Sequence, residues 1–563
     1  MPSPQLRHPQ SVRYALRAAA FFAALLALLA PSTASRAAES RHAMVAAESD
    51  LAAQAGLDVL RRGGNAVDAA VAISLVLGIT NSGSCGIGGG GFMLIYRARA
   101  HQIYALDYRE AAPRAASSTM YIHDGKPDEE LARTGPLAIA VPGEIAGLDA
   151  ARKRFGTMKF STLAAPAIKL AREGFPLSEH MARDVAWSAD QTRKDPGLRA
   201  IFFKPDGAPL KAGDTVYAKN LATLMAKLGD DPVHEFYHGS IAATIANYVK
   251  TRGGLVTTDD LADYRPIWRA PIHLSYRGYE VYTMPPPSSG GVVLEILGML
   301  APGHLRAFGV NSPAYLVQLI EVMREGFADR DQYADPAFVK VPITQLLSPA
   351  HLAAARQAAL HDHRAPQVTV AHDHGTSNFC VVDAAGNVVD VTTTVNTIFG
   401  AKIMIPELGL ILNDEMDDFA VAPQTPNAYK LIQADANAVG PGKRPLSSMS
   451  PIIALRGGRP ALVAGGSGGP TIITGVAQIA LDMLDFNMAA QDAVDLPRIH
   501  HQAQPATVFV EKGIGEATTD ALTRMGYQTK VVPELGAVNA IGLSSDALEG
   551  GYDRRKGGAA IGY

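Results

Sequence analysis

A chain of 563 residues with 47% hydrophobic and 19% charged side chains has the composition of an ordinary globular protein, long enough for two average domains or one large α/β body. A net charge of −3, with Lys and Arg scattered and no basic block, argues against a nucleic-acid partner. The two cysteines, Cys85 and Cys380, are too few for a disulfide framework in a chain of this size, and two buried thiols are expected.

The first residues read as an export signal. Arg7, Arg13 and Arg17 form a positive region, and the apolar run from Ala18 to Ala30 is shorter than the roughly 20 residues a membrane helix needs. P-S-T-A-S-R-A-A then offers small residues for cleavage, placed after Ala37. Residues 1–37 are therefore assigned to a signal peptide, with an uncleaved anchor as the alternative. The remainder is expected to be exported, periplasmic or secreted, with no stable membrane anchor.

From Ser49 to Gly78 apolar residues recur at helical spacing, broken by the turn R-R-G-G-N at Arg61 to Asn65. A glycine-rich run follows, then the strand-like F-M-L-I-Y. Gly86, Gly88 and Gly91 match G-x-G-x-x-G, but here a helix precedes the loop and a strand follows it. A dinucleotide fingerprint needs the opposite order. Close packing of backbones is the expected use of these glycines.

Residues 141–360 read mainly as helices and loops, with a strand at Y-E-V-Y-T-M, a Pro/Ser/Gly turn and the helical V-V-L-E-I-L-G-M-L. From Ala354 to Gly375 the composition turns to Ala, Gln, His, Asp and Pro, which suggests an exposed connector. Strands come next. N-F-C-V-V-D and V-V-D-V-T-T-T-V-N flank A-A-G-N as a hairpin, and P-I-I-A-L-R-G-G-R-P-A-L-V-A-G-G suggests a second. A helix is expected from Ile472 to Leu484. Helices mixed with antiparallel strands point to an α+β body, its sheets covered by helices.

The connector ends in H-D-H-G-T-S-N-F-C, which sets a small hydroxyl residue, Thr376, behind Gly375 at the mouth of a strand. If A-A-G-N is the loop, Ser377 faces Thr394; a loop one residue longer or shorter puts Thr376 there instead. Opposed side chains lie about 4.5–5.5 Å apart at Cβ, so in that second register the hydroxyls meet. A threonine hydroxyl needs a base to become a nucleophile, and a free α-amino group on the same residue, with a pKa of about 7.7–8.0, suits that task. T-T-T is equally an ordinary β-branched strand. The histidines of H-D-H, at His361 to His363 and His372 to His374, offer a rival reading as zinc ligands.

Three further stretches carry polar chemistry. The carboxylates of L-N-D-E-M-D-D-F, Leu412 to Phe419, repel one another unless a cation sits among them. R-P-L-S-S-M-S-P, Arg444 to Pro451, presents adjacent hydroxyls that suit a carboxylate. G-G-S-G-G-P-T-I-I-T, Gly465 to Thr474, leads into a helix, and backbone N–H groups there can hold an oxyanion. Together they describe a site for a zwitterion beside a nucleophile.

Taken in order, G-G-N-A-V-D-A-A-V-A, G-I-G-G-G-G-F-M, L-D-Y-R-E-A-A-P, P-P-P-S-S-G-G, V-T-T-T-V-N-T-I-F-G, N-D-E-M-D-D-F, G-P-G-K-R-P-L-S-S-M-S-P and G-S-G-G-P-T-I-I-T resemble the γ-glutamyltranspeptidases (glutathione hydrolases) of the N-terminal nucleophile hydrolase superfamily. The resemblance covers nearly everything after the signal. It implies a four-layer αββα sandwich built from two subunits of one autocatalytically cleaved precursor: a large subunit, 38–375, and a small one, 376–563, beginning with the nucleophile. By motif, Thr376 attacks the γ-glutamyl carbonyl, Thr394 supports it, and Gly468 and Gly469 form the oxyanion hole. Arg109, Ser447 and Ser448 match the residues that bind the α-carboxylate, and Asn396, Glu415 and Asp418 those that hold the α-amino group.

The resemblance further implies small γ-glutamyl donors such as glutathione, water or amino acids and peptides as acceptors, and no cofactor or metal. P-Q-T-P-N-A-Y, Pro423 to Tyr429, resembles the lid loop of bacterial members. One departure stands out: Asn378 occupies the position where the family usually has histidine. Two alternatives keep the fold with another role, a glutaryl or cephalosporin acylase and an uncleaved, inactive binding homologue.

Overall fold

The computed structural model describes residues 38–359, 375–422, 425–431, 434–504 and 506–563. The export signal, both H-D-H stretches, and Pro423 and Gln424 of the lid loop lie outside the described residues.

Two seven-stranded antiparallel sheets form the centre. Their strands, in chain order, are β1 (Ala38–Ser40), β2 (Met44–Ala47), β3 (Gly90–Arg97), β4 (Gln102–Tyr108), β5 (Ile267–Arg269), β6 (Ile272–Tyr276), β7 (Tyr279–Thr283), β8 (Ser377–Val382), β9 (Val388–Thr394), β10 (Ile452–Arg456), β11 (Arg459–Ser467), β12 (Ala537–Leu543), β13 (Leu548–Gly551) and β14 (Ala559–Gly562). One sheet runs β1-β13-β12-β11-β10-β7-β6 and the other β14-β2-β8-β9-β3-β4-β5.

Side-chain alternation along the second sheet divides the core in two, as the two-residue period of a strand requires. Val45, Ala47, Met93, Ile95, Phe379, Val381, Val389 and Val391 join a cluster with helices α1 (Asp50–Arg61), α2 (Ala66–Thr80), α3 (Glu144–Phe155) and α4 (Phe160–Glu173). Their neighbours Met44, Ala46, Phe92, Leu94, Cys380 and Val382 face the other sheet, in a cluster that also takes in α5 (Gly290–Leu300), α6 (Pro313–Asp329) and α8 (Thr471–Leu484). Helix α7 (Pro349–Ala359) packs there through Leu352 and Ala355. The layers are thus helix, sheet, sheet, helix, as expected.

Helix α2 is buried along all fifteen residues. Small side chains let it lie directly on the sheet, and a capping box between Asn65 and Asp68 closes its first turn. The glycine run after it serves close packing: a methyl on Gly89 would sit 1.9 Å from the carbonyl oxygen of Thr394. Both cysteines are buried and free.

Two local expectations need correction. Residues 354–359, placed in the connector, are the end of α7; A-A-A-R-Q-A-A is a run of good helix formers. The β8–β9 loop is one residue shorter than A-A-G-N. Val382 pairs with Val388 and Ser377 with Thr393, which puts Thr376 in line with Thr394. Asp383 and Asn387 close the turn, with the Asp383 amide donating to the Asn387 carbonyl at 3.0 Å and Gly386 at φ +77°. A three-residue loop with glycine in that left-handed position is a standard hairpin turn.

Candidate active site

Thr376 stands one residue before β8 and is buried. Its amide donates to the Ser84 carbonyl at 3.0 Å, and its carbonyl accepts from Lys556 Nζ at 2.6 Å. Lys556 is itself buried against Glu48, at 3.7 Å, and Glu48 accepts from Ser467 Oγ at 2.5 Å. The backbone of Thr376 is therefore gripped on both sides, at φ +81°. For a β-branched residue that is a true outlier, and such strain costs about 1–3 kcal/mol.

The Thr376 hydroxyl oxygen lies 3.0 Å from that of Thr394. Thr394 Oγ1 also accepts the Asn396 amide at 2.8 Å. One lone pair of Thr394 is thus engaged, and its proton is free to point at Thr376.

The loop after β9 leads to the charged cluster. Asn396, at φ +74°, donates through Nδ2 to the Asp414 carbonyl at 3.0 Å, and the Asp414 amide donates to Val395 at 3.1 Å. The single 3₁₀ turn Glu415–Asp418 comes next. Arg109, directly after β4, spans this turn: its guanidinium pairs with both Glu415 and Asp418, and Nε donates to the Pro445 carbonyl at 3.3 Å. Tyr264 and Asp107 fix its backbone.

Glu110, not singled out from sequence, lies beside Arg109 at 3.7 Å. Among the described residues no N–H or O–H of another residue donates to either carboxylate oxygen of Glu110 or to Oε2 of Glu415, and the two buried carboxyls face each other. Burial pushes the Glu110 carboxyl up to about 8 against the pull of Arg109, and raises Glu415 and Asp418 too. Three carboxyls crowd one guanidinium, an arrangement that a shared proton or a bound cation relieves.

Ser447 and Ser448 are held from below by residues that the sequence did not single out. Ser289 Oγ donates to the Ser447 carbonyl at 2.6 Å; Arg330 donates to Ser289 Oγ at 2.9 Å and to Ser448 Oγ at 3.4 Å. Arg330 is fully desolvated, which lowers its pKa to about 10, still charged at neutral pH. Nothing in the run V-M-R-E-G-F-A-D-R around it marks this role, because its partners lie far away in the chain.

Gly468 (φ +116°) and Gly469 (φ +58°) turn the chain from β11 into α8, so their amides lie at the head of a fourteen-residue helix. The Tyr429 ring covers Gly469, where a Cβ would come within 2.6 Å of it, and its hydroxyl donates to the Asn396 carbonyl at 3.2 Å. In the same segment Asn427 donates to Asp418 at 3.2 Å. Tyr429 therefore joins the glycine turn to the segment after the β8–β9 hairpin, and the lid-like stretch joins both to the charged cluster.

Asn378 is no part of this surface. It is buried, donating to Asp390 at 2.8 Å and to the Val391 carbonyl at 2.9 Å.

A family model described as gamma-glutamyltranspeptidase matches residues 52–563. The chain is 40% identical over 528 residues to the glutathione hydrolase proenzyme of Escherichia coli strain K12, which covers 92% of this chain and 91% of that one. A crystal structure of a cephalosporin acylase from Bacillus halodurans matches with a TM-score of 0.84 at 26% identity, over 95% of this chain and 98% of that one. The Helicobacter pylori γ-glutamyltranspeptidase matches with a TM-score of 0.54 at 36% identity, over 57% of this chain and 91% of that one.

Proposed function

The chain belongs to the γ-glutamyltranspeptidase family, and from that premise we propose how this site carries out its reaction. The protein is a γ-glutamyltransferase and glutathione hydrolase. In our reading Thr376 is the nucleophile, released by cutting the Gly375–Thr376 bond. The observation that carries this is the 3.0 Å contact between Thr376 and Thr394 hydroxyls beside a guanidinium–carboxylate cluster.

Cutting needs no outside reagent but water. Thr376 Oγ1 attacks the Gly375 carbonyl carbon, the C–N bond breaks, and the proton moves to the departing amine, leaving an ester. Water hydrolyses the ester to give the Gly375 carboxylate, the free hydroxyl and a free α-amino group. The strained φ of Thr376 favours this direction, since cutting releases it. The fragments stay together because each sheet draws strands from both: β8 lies between β2 and β9, and β9 pairs with β3.

The freed amine then acts as base. It takes the proton of Thr376 Oγ1 while Thr394 donates to that oxygen, and the alkoxide attacks the γ-carbonyl. Amides of Gly468 and Gly469 receive the developing oxyanion, where one lost donor typically costs about 2.7–4 kcal/mol. The amine returns its proton to the leaving group. A γ-glutamyl ester remains, which water or an amino acid or peptide acceptor resolves.

Substrate recognition follows from charge. Arg109, with Ser447 and Ser448, takes the α-carboxylate in a planar, forked contact. Glu415, Asp418 and Asn396 take the α-ammonium. A zwitterion satisfies both halves of a cluster that otherwise pairs with itself.

The match to a cephalosporin acylase supports a second reading, in which a glutaryl group replaces glutamyl. A glutaryl chain lacks the amine that the acidic residues would hold. Turnover of γ-glutamyl-p-nitroanilide against its glutaryl analogue decides: a strong preference for the first is expected, and equal rates would sink it. We also place the mature protein outside the cytoplasm, on the strength of the N-terminal signal pattern. No helix among the described residues is long and apolar enough to cross a membrane.

A further inference from the structure

Away from the catalytic centre, three helices bring together side chains that the reaction does not use. Glu295 on α5, Asp329 at the end of α6 and His351 on α7 place one donor atom each within 4.8 Å of one another. Glu295 is 1% exposed. Its Oε1 accepts from Tyr333 at 2.7 Å, whereas Oε2 is buried with no group among the described residues donating to it. Burial raises the Glu295 carboxyl, and Asp329 raises it further by its charge and by lying within hydrogen-bond reach of it. Such a pair needs a cation between the two groups or a shared proton.

We propose that Glu295, Asp329 and His351 form a binding site for a divalent transition-metal ion of the zinc class. An imidazole nitrogen with two carboxylate oxygens is a fitting donor set for such an ion, and water would complete the coordination. The supporting shell is present as well. Tyr333 holds the second oxygen of Glu295, and Gln332 Nε2 donates to Asp329 Oδ1 at 3.0 Å. His351 Nε2 already faces Asp329 Oδ2 at 2.6 Å. His351 and Asp329 are a quarter and a fifth exposed, which gives an ion a way in, whereas Glu295 forms the floor.

The ion takes no part in acyl transfer. Its place in the fold suggests bracing: Asp329 precedes Arg330, which supports Ser289 and Ser448, and α5 starts directly after Ser289. Coordination would tie α5 and α6, which flank that serine support, to α7, the last described helix before Thr376.

The test uses untagged, mature enzyme, treated with a chelator and dialysed, then titrated with Co²⁺ and Zn²⁺. One equivalent of Co²⁺ should bind with ligand-field absorption that Zn²⁺ displaces. Tyr333→Phe should weaken binding about 10–100-fold, as loss of a supporting partner does, and His351→Ala and Glu295→Gln should abolish it. A variant with His361, His363, His372 and His374 all changed to Ala should bind as the wild type does. Absence of saturable binding overturns the proposal. So does binding unchanged in His351→Ala, or binding lost with the four connector histidines. If Glu295→Gln fails to fold, His351→Ala decides, because that side chain is partly exposed.

Discussion

A methyl group on the α-carbon of Gly375 would lie 1.9 Å from the carbonyl oxygen of Asn396. The residue before Thr376 therefore has no room for a side chain, and this answers why a glycine stands there. Gly375→Ala should push the Gly375–Thr376 peptide away from the Thr376 hydroxyl that we propose attacks it. A displacement of about 1 Å can cost on the order of 10²-fold in rate, so this variant should accumulate as uncut precursor. A time course on a denaturing gel checks it, and cutting at the wild-type rate would count against the geometry.

Thr394 should matter through its proton. Its oxygen accepts from the Asn396 amide and its hydrogen is available to Thr376. Thr394→Ser keeps that donor and should retain most of the turnover; Thr394→Val removes it and should lower kcat by roughly 10–100-fold, the worth of a hydrogen bond to a charged group at about 1.5–3 kcal/mol. Equal kcat values for the two variants would show that the contact has no catalytic role.

The acidic side of the cluster should distinguish donors. Asp418→Asn keeps the shape but removes a charge that we propose faces the substrate ammonium. KM for γ-glutamyl-p-nitroanilide should rise about 10–100-fold on the same hydrogen-bond scale, while the glutaryl analogue, which has no ammonium, should be affected little. Arg109→Ala is expected mainly to impair substrate binding, but it also strands two buried carboxylates, a loss of about 3–5 kcal/mol in stability. Arg109→Lys is the cleaner variant, since it keeps the charge and loses the fork. A parallel change in both substrates for Asp418→Asn would contradict the assigned contact.

Stability should depend on pH through Glu144, which accepts from Ser74 at 2.5 Å and Thr393 at 2.8 Å behind β9. Burial pushes its carboxyl from the ordinary 4.5 up to about 7. Between these values the folded state binds more protons than the unfolded one, so stability falls as pH rises through this window. Below it the effect is absent; above it the loss is constant, on the order of 3 kcal/mol. Relative to Glu144→Gln, the wild type should lose stability between pH 5 and pH 8, read as the difference in Tm at each pH. A constant difference at both pH values would rule this out.

Much of the site was legible in the sequence because its pieces sit on short contiguous stretches. The turn Glu415–Asp418, the serine pair and the glycine turn each carry their chemistry in neighbouring residues. The hairpin register was open by one residue, since A-A-G and A-A-G-N are both plausible loops until the positive φ of Gly386 selects the shorter. Arg330 and Lys556 could not be found that way. Each acts on a partner more than a hundred residues away, and only the folded chain brings Arg330 to Ser448 or Lys556 to Thr376. Glu110 stood in plain view beside Arg109, yet its burial, not its identity, makes it part of the cluster.

The central claim is that Thr376 is armed by freeing its own α-amine, and sequencing the N-terminus of the smaller fragment of the purified protein tests it most directly. The expected result is two fragments of roughly 340 and 190 residues, counted from the Gly375–Thr376 bond, with the smaller beginning Thr-Ser-Asn-Phe, and Thr376→Ala giving one uncut, inactive chain. An active enzyme whose chain runs unbroken through residues 375 and 376, or a small fragment that begins elsewhere, would contradict it.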